Sequence, residues 1–356
     1  MKRRDFVKLA CATPALLGFA PQVCAEPADT AGRWRTFRVI YQVNLPAEGI
    51  PARVWLPLPS TQDGYQQALR SEWMGDVDKG KFVALPSNAP AFYGEWQGGT
   101  APREIKVISL VKTVDRSVDL SKAAKLRETT IPEEVRPFLQ PTKHIPVNGL
   151  VHKTALSITH NLNTPLEKAR AIYEWVVDNT FRNPQTEGCG RGDITFMLET
   201  GNLGGKCADI SSLFVGLARA SGIPAREVFG IRVADSSTFK SIGKSGDISK
   251  AQHCRAEFYL AGMGWIPVDP ADVRKVVLEE KIPLNDPKVA ALRQKLFGAW
   301  EMNWVALNSE RDFYLKPDTA AGEMNFFMYP HGEIAGVPRE SLDPPKFAYK
   351  ITSEEI

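Results

Sequence analysis

Two glycines, a cysteine and an apolar run at helical spacing, GGKCADISSLFVGLARASG (204–222), form the segment of this sequence best suited to nucleophilic chemistry. Ile210, Leu213, Phe214, Leu217 and Ala218 recur on one helical face, with Gly222 as terminator and Pro224 just beyond. Cys207 therefore falls at a helix N-terminus, where unpaired N–H groups and the helix dipole favour the thiolate, the form of cysteine that attacks carbonyl carbon. Gly204 and Gly205 would let a substrate approach the backbone, and the Cys207 N–H would help hold a tetrahedral oxyanion, with Asn202 as a candidate second donor. The plain alternative is a buried helix cysteine with no task.

A thiol nucleophile needs a base, and a base needs an orienting group. His253 opens a strand-like segment, HCRAEFYL (253–260), and Asp269 ends the next one, WIPVD (265–269), across the turn Ala261-Gly262-Met263-Gly264. Taken alone, His253 is also readable as a strand-edge histidine and Asp269 as a turn aspartate ahead of Pro270. A plain four-residue turn would set Asp269 opposite Ala256 and Asp272 opposite His253, which makes Asp272 a rival. A bulge before Pro270 would bring Asp269 onto the His253 face, and that bulge is the expectation.

The elements that must position these residues are legible in outline. Phe37, Val39, Tyr41 and Val43 alternate, and ARVWLPLP (52–59) and REIKVISLVKTV (103–114) are strand-like, so residues 26–125 read as an antiparallel β-domain. A charged, proline-rich stretch around 120–150 reads as a linker with short helical pieces. In TPLEKARAIYEWVVDN, Thr164 and Glu167 make a capping box, Pro165 suits the first turn, and Leu166, Ala169, Ile172 and Val176 form the predicted buried stripe. AREVFGIRV (225–233) is a further strand, and Asp286 caps a helix that presents Val289, Leu292 and Leu296. Helices followed by sheet indicate an α+β core over residues 126–275, with 276–356 as a C-terminal extension whose FYL and NFFMYP segments carry no readable role.

GNLGGKCADISSLFVGLARASGIPAR resembles the cysteine segment of transglutaminase-like proteins, and HCRAEFYLAGMGWIPVDP resembles their histidine–aspartate segment, in the same chain order. The resemblance spans residues 150–275. It implies a papain-like α+β fold, a Cys207–His253–Asp269 triad, and membership of a group that includes acyl transferases, peptidases, other amide hydrolases and inactive scaffolds. His253-Cys254-Arg255 departs from the Ala-Trp that follows the histidine in many relatives.

The first residues, MKRRDFVKLACATPALLGFAPQVCA, have the basic cluster, short apolar stretch and small-residue end of an export signal. Arg3-Arg4-Asp5-Phe6-Val7-Lys8 resembles a twin-arginine signal; a general secretory signal is the alternative. Residues 1–25 are expected to be removed, giving a periplasmic or secreted bacterial protein that starts near Glu26 and has no membrane-spanning segment. The leader carries Lys2, Arg3, Arg4 and Lys8 against Asp5, so the whole-chain charge of +3 becomes zero and gives no support for nucleic-acid binding. Cys11 and Cys24 leave with it, without lipid-anchor spacing, and Cys189, Cys207 and Cys254 remain.

Cys189 is open to pairing with Cys254, to redox work or to remaining free. A zinc site from Cys189, Cys207, His253 and Cys254 is disfavoured, because adjacent strand residues point to opposite faces. No metal or cofactor is expected. The expected partner is a peptide or protein substrate, attacked by Cys207 to give a thioester that water or an amine resolves. Nothing in the sequence marks an amine site, so hydrolysis is the simpler expectation, with acyl transfer and a silent binding scaffold as the alternatives.

Overall fold

The computed structural model describes residues 32–46, 49–99, 102–125 and 130–356. The export-signal reading of residues 1–25, with Cys11 and Cys24, lies outside the described residues. The architecture is α+β, with N-terminal antiparallel sheets ahead of a helix-and-sheet core.

Six strands come first: β1 (Arg35–Leu45), β2 (Ala52–Pro57), β3 (Gln66–Gly75), β4 (Lys79–Ala84), β5 (Pro90–Trp96) and β6 (Arg103–Thr113). The alternation of β1 is real, with Phe37, Val39, Tyr41 and Val43 all buried, because successive side chains of a strand point to opposite faces. Two short 3-10 turns, Leu120–Lys125 and Glu133–Leu139, then carry the chain into the core.

The core opens with α1 (Gly149–Thr159), α2 (Pro165–Asn179) and α3 (Ile194–Thr200), followed by α4 (Cys207–Ala220). In α2 the Thr164 hydroxyl accepts from Glu167 N at 3.2 Å and Glu167 accepts from Thr164 N at 2.9 Å, the reciprocal cap that the sequence indicates. Its buried face comprises Ala169, Ile172, Tyr173, Val176 and Val177, whereas Leu166 is half-buried. Helix α4 is buried from Cys207 to Arg219, and its polar face is buried with partners: Asp209 accepts from Gly192 N, Ser212 donates to Glu227 and Arg219 donates to Ala225 O. Each of Leu213, Phe214 and Leu217 contributes about 1.5–3 kcal/mol by leaving water.

Against α4 lies a four-stranded antiparallel sheet of β7 (Ala225–Arg232), β8 (Gln252–Leu260), β9 (Gly264–Val268) and, after α5 (Pro270–Glu279) and α6 (Pro287–Lys295), β10 (Trp304–Asn308). Its order is β9-β8-β7-β10. Helix α6 starts as expected, with Asp286 accepting from Lys288 N at 2.8 Å and Val289, Leu292 and Leu296 buried.

The last residues return to the first. Strand β11 (His331–Ile334) pairs with β2, and β12 (Tyr349–Glu355) pairs with β1, Phe37 opposite Glu355 and Val43 opposite Tyr349. Between the two five-stranded sheets Val39, Val54, Phe92, Val107 and Ile351 share one core with Ile231 and Val305 of the four-stranded sheet. Phe313, Leu315 and Phe327, from the segments the sequence left unread, pack with Trp55 and Tyr93.

Candidate active site

Cys207 is the first residue of α4, and the turn before it is held by Asp209. The buried Asp209 carboxylate accepts from Lys206 N at 2.9 Å, Gly192 N at 2.8 Å and Arg191 N at 3.0 Å. One side chain thus fastens the 189–192 loop to the helix start. Glycine is required on both sides of it, since a Cβ on Gly190 would lie 1.8 Å from Asp209 Oδ2 and one on Gly205 would lie 2.4 Å from Asp209 Cβ. A Cβ on Gly204 would fall into the Phe181 ring. The two glycines are therefore needed for internal packing, which corrects the expectation that they admit substrate. Asn202 is exposed, and its Oδ1 accepts from Gly204 N at 3.1 Å in the turn before the helix, a bond that fixes the side chain by its acceptor and not by its donor. The Cys207 N–H has no partner among the described residues and is free for an oxyanion.

The same loop delivers a second thiol. Ala208 N donates to Cys189 O at 2.8 Å, and the Cys189 thiol meets that of Cys207. Cys254 reaches Cys207 as well, so strand alternation does not keep Cys254 out of the site as the sequence argument held. All three cysteines are unpaired thiols.

His253 lies in β8, with its carbonyl accepting from Trp304 Nε1 at 2.8 Å. Its Nε2 is 2.8 Å from Asp269 Oδ2, which leaves Nδ1 as the ring nitrogen available to the thiol. The β8–β9 ladder runs with Ala256 opposite Val268 and Leu260 opposite Gly264, one residue away from the plain-turn register. The expected bulge before Pro270 is not the cause. A tighter turn is: Met263 N closes on Leu260 O at 2.9 Å, with Gly262 at φ 80 and Gly264 at φ 82, where glycine has no steric penalty. Asp269 then does two jobs, holding His253 with one oxygen and capping α5 with the other, which accepts from Asp272 N at 3.0 Å.

Asp272 is near but differently employed. Its Oδ1 lies 3.4 Å from His253 Nε2 and 2.5 Å from Arg232 Nη2, and Arg232 is itself buried. Arg255, the departure noted in the sequence, stands 3.3 Å from Asp269 Oδ2 with its guanidinium over the rings of Trp304 and Trp300. Two arginines thus face two aspartates around one histidine. His253, Asp269 and Asp272 bring three possible metal-ligand atoms within 4.8 Å of one another, but Arg232 and Arg255 already balance the carboxylate charge, so the trio is a poor fit for a cation.

These contacts set the ionisation. The pKa of the Cys207 thiol is lowered well below the ordinary range by the neighbouring Cys189 and Cys254 thiols, and His253 acts in the same direction against the cost of burial. The pKa of Cys189 is pushed up by its bond to Cys207 and by burial, and that of Cys254 by burial first and then by Cys207. Burial works against protonated His253, but the charges of Asp272 and Asp269 overcome it and raise the imidazole pKa. Both shifts work in favour of a thiolate–imidazolium pair.

Cys207 and His253, each 3% exposed, lie at the floor of a cleft of about 1290 Å³ that Cys189, Gln252 and Tyr329 also line. Tyr329 belongs to the NFFMYP segment, and its hydroxyl contacts Cys189. Asp193 caps α3 by accepting from Phe196 N at 3.1 Å. No helix among the described residues is long and apolar enough to cross a membrane.

A family model described as the transglutaminase-like superfamily matches residues 152–270. A curated, uncharacterised protein of Haemophilus influenzae is 39% identical over 321 residues, 85% of this chain and 86% of its own length. The crystal structure of a proposed cysteine protease from Cytophaga hutchinsonii aligns over 91% of this chain and 99% of its own, with TM-score 0.53 at 15% identity, a likeness of fold.

Proposed function

The chain belongs to the transglutaminase-like superfamily, and from that premise we propose that it is an exported cysteine hydrolase that cuts amide or peptide bonds through a thioester on Cys207. The observation that carries the reading is the buried Cys207–His253–Asp269 arrangement opening into the cleft. The thiolate attacks the carbonyl carbon, and the Cys207 N–H is positioned to stabilise the oxyanion that forms. Imidazolium gives its proton to the departing amine, leaving the acyl group as a thioester. Neutral His253 then takes a proton from water as that water attacks the thioester, and the carboxylic acid and the thiolate are released. Asp269 keeps the ring oriented throughout and stabilises its charged form. Delivery of the enzyme to the periplasm or medium rests on the leader at residues 1–25.

The test supplies a carboxamide or peptide donor with increasing lysine-like amine and follows both products together with the Cys207 adduct by mass. Hydrolysis dominating over amine adducts at about millimolar acceptor supports the reading, since transfer needs a site that binds the amine and shields the thioester. Adducts dominating would make the protein an acyl transferase, and neither product nor thioester across a broad donor panel would make it a silent scaffold.

A further inference from the structure

The cleft wall is lopsided in charge. Eight cationic and three acidic side chains line it. The three acids are occupied by the protein itself: Asp247 accepts from Ser249 N at 3.0 Å, Glu279 pairs with Arg182 at 3.0 Å, and Glu280 accepts from Ser241 N at 2.7 Å. Among the cations, Arg182 and Lys275 are paired with Glu279, and Arg232 with Asp272. Lys206, Lys240, Lys244, Lys250 and Lys350 make no direct ion pair among the described residues, although Lys350 and Lys244 act on Asp247, and Lys240 on Glu280, at longer range. Lys206 is half-buried at the cap of α4, and the other four are exposed.

A run of charge along one segment is ordinarily a solvated face, but these lysines come from three separate parts of the chain. Lys206 precedes α4, Lys240, Lys244 and Lys250 lie between β7 and β8, and Lys350 is in β12. Their convergence also does not reflect the protein's average, since residues 26–356 carry no net charge. Any acyl donor that seats its carbonyl at Cys207 must lay its flanking residues along this wall. We infer that the cleft selects acidic peptides, with carboxylates on either side of the reactive amide meeting Lys206, Lys240, Lys244, Lys250 and Lys350. The inference rests on the hydrolase reading of the same site and adds the substrate class to it. Clefts lined by one sign of charge raise the association rate of opposite charge by about 10 to 10³-fold, an effect that salt removes.

The experiment uses the purified chain carrying Cys207→Ala, which binds without turnover, and three fluorescent peptides that share a central carboxamide and differ in acidic, uncharged or basic flanks. The acidic peptide should bind at least about tenfold tighter than the uncharged one at low salt. That advantage should shrink as salt rises and disappear when Lys240→Glu, Lys244→Glu and Lys250→Glu are combined, with the corresponding glutamine triple giving an intermediate loss. Basic flanks binding as tightly as acidic ones, or an acidic advantage that survives the glutamate triple, would overturn the inference. With Cys207 intact, the acidic peptide should be the fastest acyl donor. Tight acidic binding with no thioester from any peptide would refute the hydrolase reading and leave the charge preference standing.

Discussion

Two histidines in this protein are buried against carboxylates, and their surroundings push them in opposite directions. His331 lies in the sheet layer, 2.6 Å from the Thr319 hydroxyl and 3.3 Å from Glu333. Glu333 also takes Arg53, Ala320 N and Thr319, so little of its charge is left for the ring. Burial therefore prevails, and the His331 pKa is lowered. His253 is buried at least as deeply, but the charges of Asp272 and Asp269 outweigh burial and Arg232, and its pKa is raised. Burial and a carboxylate neighbour are thus common to both; the balance of charge and the sulfur at the floor of a cleft separate His253 from His331.

The largest effect that can break this comparison is on rate. His253→Ala should slow thioester formation by about 10²–10⁴-fold, the usual contribution of a positioned base, while His331→Ala should leave that rate unchanged and show only in unfolding. Single-turnover acylation of both variants checks it. Next in size, Asp269→Asn should cost about 10²-fold or more in the same assay through loss of ring orientation. Asp272→Asn should cost less in rate and more in stability, about 3–5 kcal/mol in urea unfolding, because it strands the buried Arg232. The reverse ranking of the two aspartates in acylation would move the orienting role to Asp272.

The smallest effect sharpens the contrast through pH. Because the folded-state pKa of His253 is raised, its contribution to stability is present below about pH 6.5 and is lost as pH rises through the folded value. His331, lowered in the fold, has the opposite sign: stability falls as pH drops below about 6.5 toward its folded value. Unfolding free energies across this range should show the native-minus-His253→Gln difference shrinking with rising pH and the native-minus-His331→Gln difference growing. Slopes of the same sign would remove the electrostatic distinction between the two.

Much of the site was legible because its parts are local. A helix N-terminus is written in the spacing from Ile210 to Ala218, and the α2 cap in Thr164 and Glu167. The β8–β9 register was read correctly in its consequence for Asp269 but through the wrong device, because a bulge and a tighter turn both move pairing by one residue. What escaped depends on loop closure. Asp209 brings Cys189 to Cys207 from 18 residues upstream through backbone N–H groups that leave no residue pattern. Arg232 meeting Asp272, Tyr329 entering the cleft, and β12 pairing with β1 likewise join segments that are distant along the chain.

The proposed chemistry depends most directly on the ionisation of Cys207. Alkylation by a neutral reagent, followed residue by residue by mass spectrometry as a function of pH, should show Cys207 reacting fastest, with a midpoint well below the free-thiol value of about 8.5. Cys189 and Cys254 should remain slow until higher pH, and His253→Ala should move the Cys207 midpoint upward. A Cys207 midpoint at or above the free-thiol value, or alkylation no faster than at Cys189 and Cys254, would contradict the claim that this cysteine is an activated nucleophile.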